Sequence, residues 1–274
     1  CAAAPRRSAG SRWRGGAGGV RCGKPFEAEV MRDVCDDLLV MYPPVGPRRA
    51  DRLARVARDS RLTVALDSEI AARELSRAAQ EARSTVHVLV ELDAGMHRVG
   101  VPVLEDAVRL AQLVRSLPRL ELDGMAFYPG HVRAHVSEHE GQLAELSRFV
   151  ARAREALSRQ AVPLHVVSAG STPTLFETHE IPGVTEMRPG TYIFNDRTTA
   201  EIGACGWDDC ALTVLATVVS TSVPGQAVVD TGSKALGREP LRGGSAEGFG
   251  CVEDRRDVVV QSMSEEHGIV DLSG

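Results

Sequence analysis

The sequence predicts an α/β chain: a (β/α)8-type barrel lacking its first strand, followed by a partial β domain. Three observations carry this. From Gly19 to about Ala200, short apolar runs alternate with amphipathic helical patterns, the rhythm of a parallel sheet flanked by helices. The strand candidates in that stretch number about seven, where a closed barrel needs eight. After Asp196 the rhythm gives way to Val- and Thr-rich runs separated by Pro-Gly and Gly-Gly turns, with no helices between them, and this is a β domain. A doubly wound open sheet is the other architecture that the alternation allows.

Each element is justified in turn. The predicted strands are "GVRCG" (19–23), "DLLVMY" (37–42), "LTVALD" (62–67), "VHVLVEL" (86–92), "LDGMAFY" (122–128), "LHVVSA" (164–169) and "VTEMRPG" (184–190). Between them lie helices at 25–34, 47–59, 68–82, 103–117 and 138–160, where apolar residues recur at i, i+3, i+4 and i+7. Ser68 is placed to cap the third helix, and Pro102 sits where a helix starting near Leu104 tolerates it. The β domain is read from "CALTVLATVVSTSVPGQAVVDTG" (210–232), "DVVVQSM" (257–263) and "GIVDL" (268–272). Residues 1–18 have no acid and no amphipathic pattern, so they read as a disordered or artefactual end. The expected organisation is therefore 1–18, a barrel over 19–200, and a β domain over 201–274.

Composition narrows the function. The net charge is −5, and no basic stripe interleaved with aromatics occurs, which argues against a nucleic-acid partner. No apolar run approaches the roughly 18 residues of a membrane span, so no membrane partner is expected. The six cysteines lack Cys-x-x-Cys spacing. They read as reduced thiols in a cytoplasmic protein.

Functional groups of a parallel barrel collect on the loops at the carboxyl ends of its strands. Here those loops are polar and glycine-rich: "DAGMHRVG", "YPGHVRAH", "AGSTPT" and "RPGTY". "SAGSTPTLFE" joins small residues and hydroxyls to the start of a short helix, a pattern that cradles an anion such as phosphate. "RPGTY" adds a backbone N–H and the hydroxyls of Thr191 and Tyr192. His131, His135 and His139 stand four residues apart. On a helix they would form a metal-binding stripe, but Pro129 and Gly130 make the start of that segment a loop.

Six ordered stretches, "VELDAGMHRVGV", "LDGMAFYPGH", "SAGSTPT", "RPGTYIFND", "VVDTGSKAL" and "SMSEEHG", resemble the D-threonine aldolase and D-serine dehydratase family. That family is a branch of the alanine-racemase-like, fold-type III enzymes that use pyridoxal 5'-phosphate (PLP). The resemblance implies that Gly170, Ser171, Thr172, Gly190, Thr191 and Tyr192 hold the cofactor phosphate. It implies that Arg98 faces the pyridine ring or its hydroxyl and that Tyr128 lies beside ring or substrate. His131 or His135 would act as base on the substrate hydroxyl, and His267 would lie near a divalent metal (Mn, Mg or Zn). Bland readings stand beside these: Arg98 can pair with Asp93 or Glu91, and Tyr128 can be a core aromatic.

The implied activity is a PLP-dependent lyase reaction on a small D-3-hydroxy amino acid. The D-threonine aldolase type gives retro-aldol cleavage to glycine and an aldehyde, and D-serine dehydration is the close alternative. Relatives imply a homodimer in the intact form. The resemblance also has breaks, since the family's Schiff-base lysine on the first barrel strand and its carboxyl-terminal metal pair have no counterpart here. The only lysines are Lys24 and Lys234. A chain truncated at both ends is the expectation, with an inactive PLP-binding remnant as a further alternative.

Overall fold

The computed structural model describes residues 18–239 and 248–273. Except for Gly18, the segment expected to be disordered or artefactual lies outside the described residues. The chain divides into two units, one running up to His131 and resuming over Glu140–Gly190, the other formed by Val132–His139 and Thr191 onward.

In the first unit, runs dense in Val, Leu and Ala become seven strands: Val20–Cys22 (β1), Asp37–Val40 (β2), Arg61–Leu66 (β3), Val86–Leu92 (β4), Leu120–Phe127 (β5), Val166–Ala169 (β6) and Glu186–Met187 (β7). They lie side by side in chain order with every neighbouring pair parallel, forming a curled half-barrel whose edges are β1 and β7. The helices Pro25–Met31 (α1), Pro47–Val56 (α2), Glu69–Ala82 (α3), Leu104–Ser116 (α4) and Glu140–Ser158 (α5) connect them. All but the first residue of β3 are buried. A parallel strand covered on both faces has this near-continuous apolar character rather than alternation.

Local chemistry sets the helix ends. Ser68 caps α3 by accepting a hydrogen bond from the Ala71 N–H at 3.4 Å, and Arg83 closes it in the left-handed conformation. Pro47 begins α2, where its missing N–H costs nothing. Ala50 and Ala54 of α2 meet Ala78 and Ala82 of α3, so small side chains let the two helices pack. Leu39, Met41, Ala65, Leu89 and Ala126 form a core cluster contributed by successive strands, with Val166 against it.

The second unit holds a short helix Arg197–Glu201 (α6) and an antiparallel sheet of Val218–Ser220 (β8), Gln226–Val229 (β9), Cys251–Val252 (β10), Arg255–Met263 (β11) and Gly268–Asp271 (β12). Its strand order is β10-β11-β12-β9-β8, around a core of Ala227, Val229, Val260 and Val270.

Three expectations are corrected. Residues 211–217 form no strand, and Leu212 and Leu215 are 79% and 99% exposed, so the apolar run finds no sheet face among the described residues. A helical turn, Ser233–Leu236 (α7), interrupts the β domain where none was expected. It forms because the Ser233 and Lys234 N–H groups bond to Ser264 O and Glu265 O in the turn between β11 and β12. No α-helix follows "SAGST": residues 172–177 are turns leading to a 3-10 helix at Thr178–Glu180. The hydroxyls of Ser171 and Thr178 bond to Thr174, and this local network replaces helical winding. Among the described residues, no helix is long and apolar enough to cross a membrane.

Candidate cofactor site

The loop leaving β4 is built around one carboxylate. Asp93 Oδ1 accepts the N–H groups of Gly95 and His97 at 2.9 and 3.0 Å, and Oδ2 meets His97 Nδ1 at 2.8 Å. These bonds hold its carboxyl below the usual range against the opposing effect of partial burial. The loop closes where the Val101 N–H reaches Glu91 O at 2.8 Å. Gly100 has φ +104, and a Cβ there would fall 2.5 Å from the Leu92 carbonyl carbon, so only glycine fits.

Arg98 stands exposed on this loop with its guanidinium carbon 4.9 Å from the centre of the Tyr128 ring. Of its two possible carboxylate partners, Asp93 is taken by His97 and backbone N–H groups, while the Arg98 charge acts to lower the Glu91 carboxyl. Tyr128 follows β5 and is half-buried. His131 is brought to the same region, where a Cβ on Gly95 would lie 3.3 Å from its ring. It also lines a cavity of about 330 Å³ with Ala94, Glu145, Arg148 and Arg152.

The loops after β6 and β7 are joined by a bond from the Gly190 N–H to Thr172 Oγ1 at 3.3 Å. Gly170 is buried at φ +107, and Ser171 and Thr172 are 4% and 5% exposed. Among the described residues, the N–H groups of Gly170 and Ser171 find no acceptor. Buried backbone donors are normally satisfied. Two adjacent orphans on a glycine turn form an anion-receiving concavity. A Cβ on Gly190 would meet nothing within 4 Å, so open space adjoins the loop. A phosphate group fits this donor set, although a nest of backbone N–H groups replaces the expected helix dipole.

Thr191 and Tyr192 begin a 3-10 helix in the second unit and are exposed. His135 is also in that unit, exposed, with Nδ1 2.8 Å from Ser137 Oγ at the head of a 3-10 helix. His139 is buried with Nε2 3.0 Å from Ala134 O. The three histidines therefore share no helix face. His267 is exposed in the turn between β11 and β12. Among the described residues, no three His, Cys, Asp or Glu side chains gather to hold a metal, so the donor set does not fit the divalent ion and no step is assigned to one.

Two charged residues of the inner sheet went unassigned in the sequence reading. Glu91 of β4 is 2% exposed, its Oε2 has no hydrogen-bond partner, and burial pushes its carboxyl up to about 7 although Arg188 opposes the shift. Arg188 is buried just beyond β7, donating to Phe127 O at 2.8 Å and to Ser168 Oγ. Burial lowers it to about 10. The signal for Glu91 was present: an acid inside an otherwise apolar strand.

Of the two lysines, Lys24 is exposed in the turn that follows β1, and Lys234 pairs with Glu265 and Glu266 in the second unit.

Comparison with known proteins identifies relatives of the chain. Residues 9–198 match the family model described as alanine racemase, N-terminal domain, and residues 211–274 match a serine dehydratase domain. The 3-hydroxy-D-aspartate aldolase of Paracoccus denitrificans (strain Pd 1222) is 31% identical over 270 residues, covering 94% of this chain and 67% of the relative. The structure of D-threo-3-hydroxyaspartate dehydratase from Delftia sp. HT23 superposes with a TM-score of 0.81 at 28% identity, covering 94% of this chain and 71% of that one. A variant of a D-threo-3-hydroxyaspartate dehydratase has been solved in a metal-free form. D-threonine aldolase from Filomicrobium marinum gives a TM-score of 0.79 at 28% identity, covering 94% and 69%. The chain thus belongs to the family of the alanine racemase N-terminal domain, a family of PLP-dependent fold-type III enzymes.

Proposed function

We propose that the chain binds PLP and serves a lyase acting on small D-3-hydroxy amino acids, with retro-aldol cleavage of the D-threonine aldolase type. The observation that carries this reading is the pair of acceptor-less buried N–H groups at Gly170 and Ser171. They receive the phosphate, with Thr172 and Gly190 beside them. Arg98 and Tyr128 hold the ring, and the guanidinium's position over the phenol fixes both side chains. When bound, PLP supplies a sink for the electron pair released at the substrate's Cα. His131, beside Gly95, takes the proton from the substrate's 3-hydroxyl. A dehydratase would use the same cradle and differ in product.

A second reading, non-covalent PLP binding without turnover, is favoured by Lys234, whose ammonium is engaged by two glutamates. One experiment separates the two. The purified chain is mixed with PLP, reduced with borohydride and peptide-mapped, then assayed with D-threonine and D-serine. A label on Lys24 or Lys234 with glycine as product supports the aldolase, and pyruvate from D-serine points to the dehydratase. PLP retained without a label supports the binding protein. Failure to retain PLP at all overturns both.

A further inference from the structure

Helix α5 carries two distinct faces. Leu146, Val150, Ala153 and Leu157 are buried on one, and Glu145, Arg148, Phe149 and Arg152, spaced i, i+3, i+4 and i+7, share the other. A face of the second kind is ordinarily left to solvent. Here His131, from the loop after β5, and Ala94, from the loop after β4, join it in lining a cavity of about 330 Å³. All of these residues belong to the first unit. Leu146 is 2% exposed, and the Phe149 ring meets Phe127 edge-on with 5.9 Å between centroids, so the apolar part of the lining is held by the core.

The charges of this cavity do not cancel. Other arginines on the helices of the unit take a glutamate one turn away: Arg73 with Glu69 at 2.7 Å, Arg77 with Glu81 at 2.7 Å and Arg159 with Glu155 at 2.5 Å. Arg148 and Arg152 are exposed and one turn apart, and among the described residues neither forms an ion pair or a hydrogen bond. Glu145, three residues before Arg148, is likewise without one. Two guanidiniums against one carboxylate leave the lining positive, before any charge on His131 is counted. Planar guanidinium forks match the geometry of a carboxylate, which accepts paired N–H groups from them.

We infer that this cavity is a carboxylate-binding site for a small organic acid, with Arg148 and Arg152 as its cations and Leu146 and Phe149 as the seat of its carbon chain.

Two sources supply this chemistry, because His131 borders both the cavity and Gly95. The carboxylate is the far end of the substrate's own side chain, which rests on His131 being the base proposed above, or it belongs to a free acid held beside that histidine, which does not. Neither source changes the residues that bind it.

The test is an NMR titration of the full chain, without PLP, with succinate at constant ionic strength, following the arginine Nε–H signals. Saturable shifts of two signals are expected, one disappearing in Arg148→Gln and the other in Arg152→Gln, with the dissociation constant raised about tenfold in each variant. Glu145→Gln removes the opposing charge and should tighten succinate about threefold, a gain that a disturbed fold would not produce. The source is read on the PLP-loaded chain: displacement of succinate by D-aspartate but not by D-alanine assigns the carboxylate to the substrate, and joint binding of succinate and D-aspartate assigns it to a free acid. No saturable shift, or an affinity that both arginine variants leave unchanged, overturns the proposal. Because the first titration contains no PLP, that outcome stands apart from any failure of the chain to retain the cofactor.

Discussion

Glu91 shows what burial does to a single group. Its Oε2 is shut from water without a hydrogen-bond partner, and an unpaired charge there is costly enough that the neutral form competes near neutrality. The carboxyl is raised from 4.5 to about 7, so its contribution to stability is fully present below 4.5 and is lost as pH rises through 7. Glu91→Gln keeps the shape and removes the titration. Relative to the native chain, the variant should gain up to roughly 3 kcal/mol between pH 5 and pH 8, measured by urea unfolding at both pH values. A stability difference that stays constant with pH would mean that Glu91 does not titrate in this window. Arg98 lends itself to a binding measurement. Its place over the Tyr128 ring leads us to expect that Arg98→Ala weakens PLP binding about tenfold, or about 1.4 kcal/mol, with circular dichroism unchanged. The loop positions of Arg98 and Tyr128 were legible in the sequence, and the structure brings the two side chains together. Arg188 was not, because nothing local tells whether an arginine after a short strand turns outward or, as here, inward to Phe127 O and Ser168.

Strands and helices were legible where one side of each was apolar over its whole length. β4 and α3 match their predicted ranges to within a residue, because seven consecutive β residues and a capped amphipathic run each leave one conformation that buries them. β7 is reduced to Glu186–Met187: the Arg188 N–H still reaches Ala169 O at 2.9 Å, but Pro189 has no N–H to extend the ladder. The β6 loop was misread as a helix start because hydroxyl-rich stretches can satisfy themselves locally, and Ser171, Thr174 and Thr178 do so. Two glycines separate fold from binding at this scale. Gly100→Ala places a Cβ 2.5 Å from the Leu92 carbonyl carbon at φ +104, and should cost about 3 kcal/mol in urea unfolding. Gly190→Ala meets nothing within 4 Å, and should change stability by less than about 0.5 kcal/mol. If the space beside Gly190 receives the phosphate, that same variant should lose most PLP binding in an equilibrium titration. Unchanged binding would move the phosphate elsewhere.

The whole molecule pairs a parallel half-barrel with an antiparallel sheet, and its unsatisfied donors at Gly170 and Ser171 belong to the first of these. A folded chain that keeps two buried N–H groups without acceptors forgoes about 1–3 kcal/mol for each. Any anion that supplies the missing acceptors binds the folded state and has no site in the unfolded one. Linkage then fixes the size of the effect: a ligand at a hundred times its dissociation constant stabilises by about 2.7 kcal/mol. PLP should therefore raise the urea midpoint, and inorganic phosphate should do so at higher concentration because it lacks the ring that Arg98 and Tyr128 hold. Pyridoxal, which carries the aldehyde and the ring without the phosphate, should shift the midpoint little. This comparison does not depend on a lysine, since an aldehyde that merely modified Lys24 or Lys234 would act with or without the phosphate. Equal shifts from PLP and pyridoxal would place the stabilisation in covalent labelling, and the two orphan N–H groups would then need another acceptor.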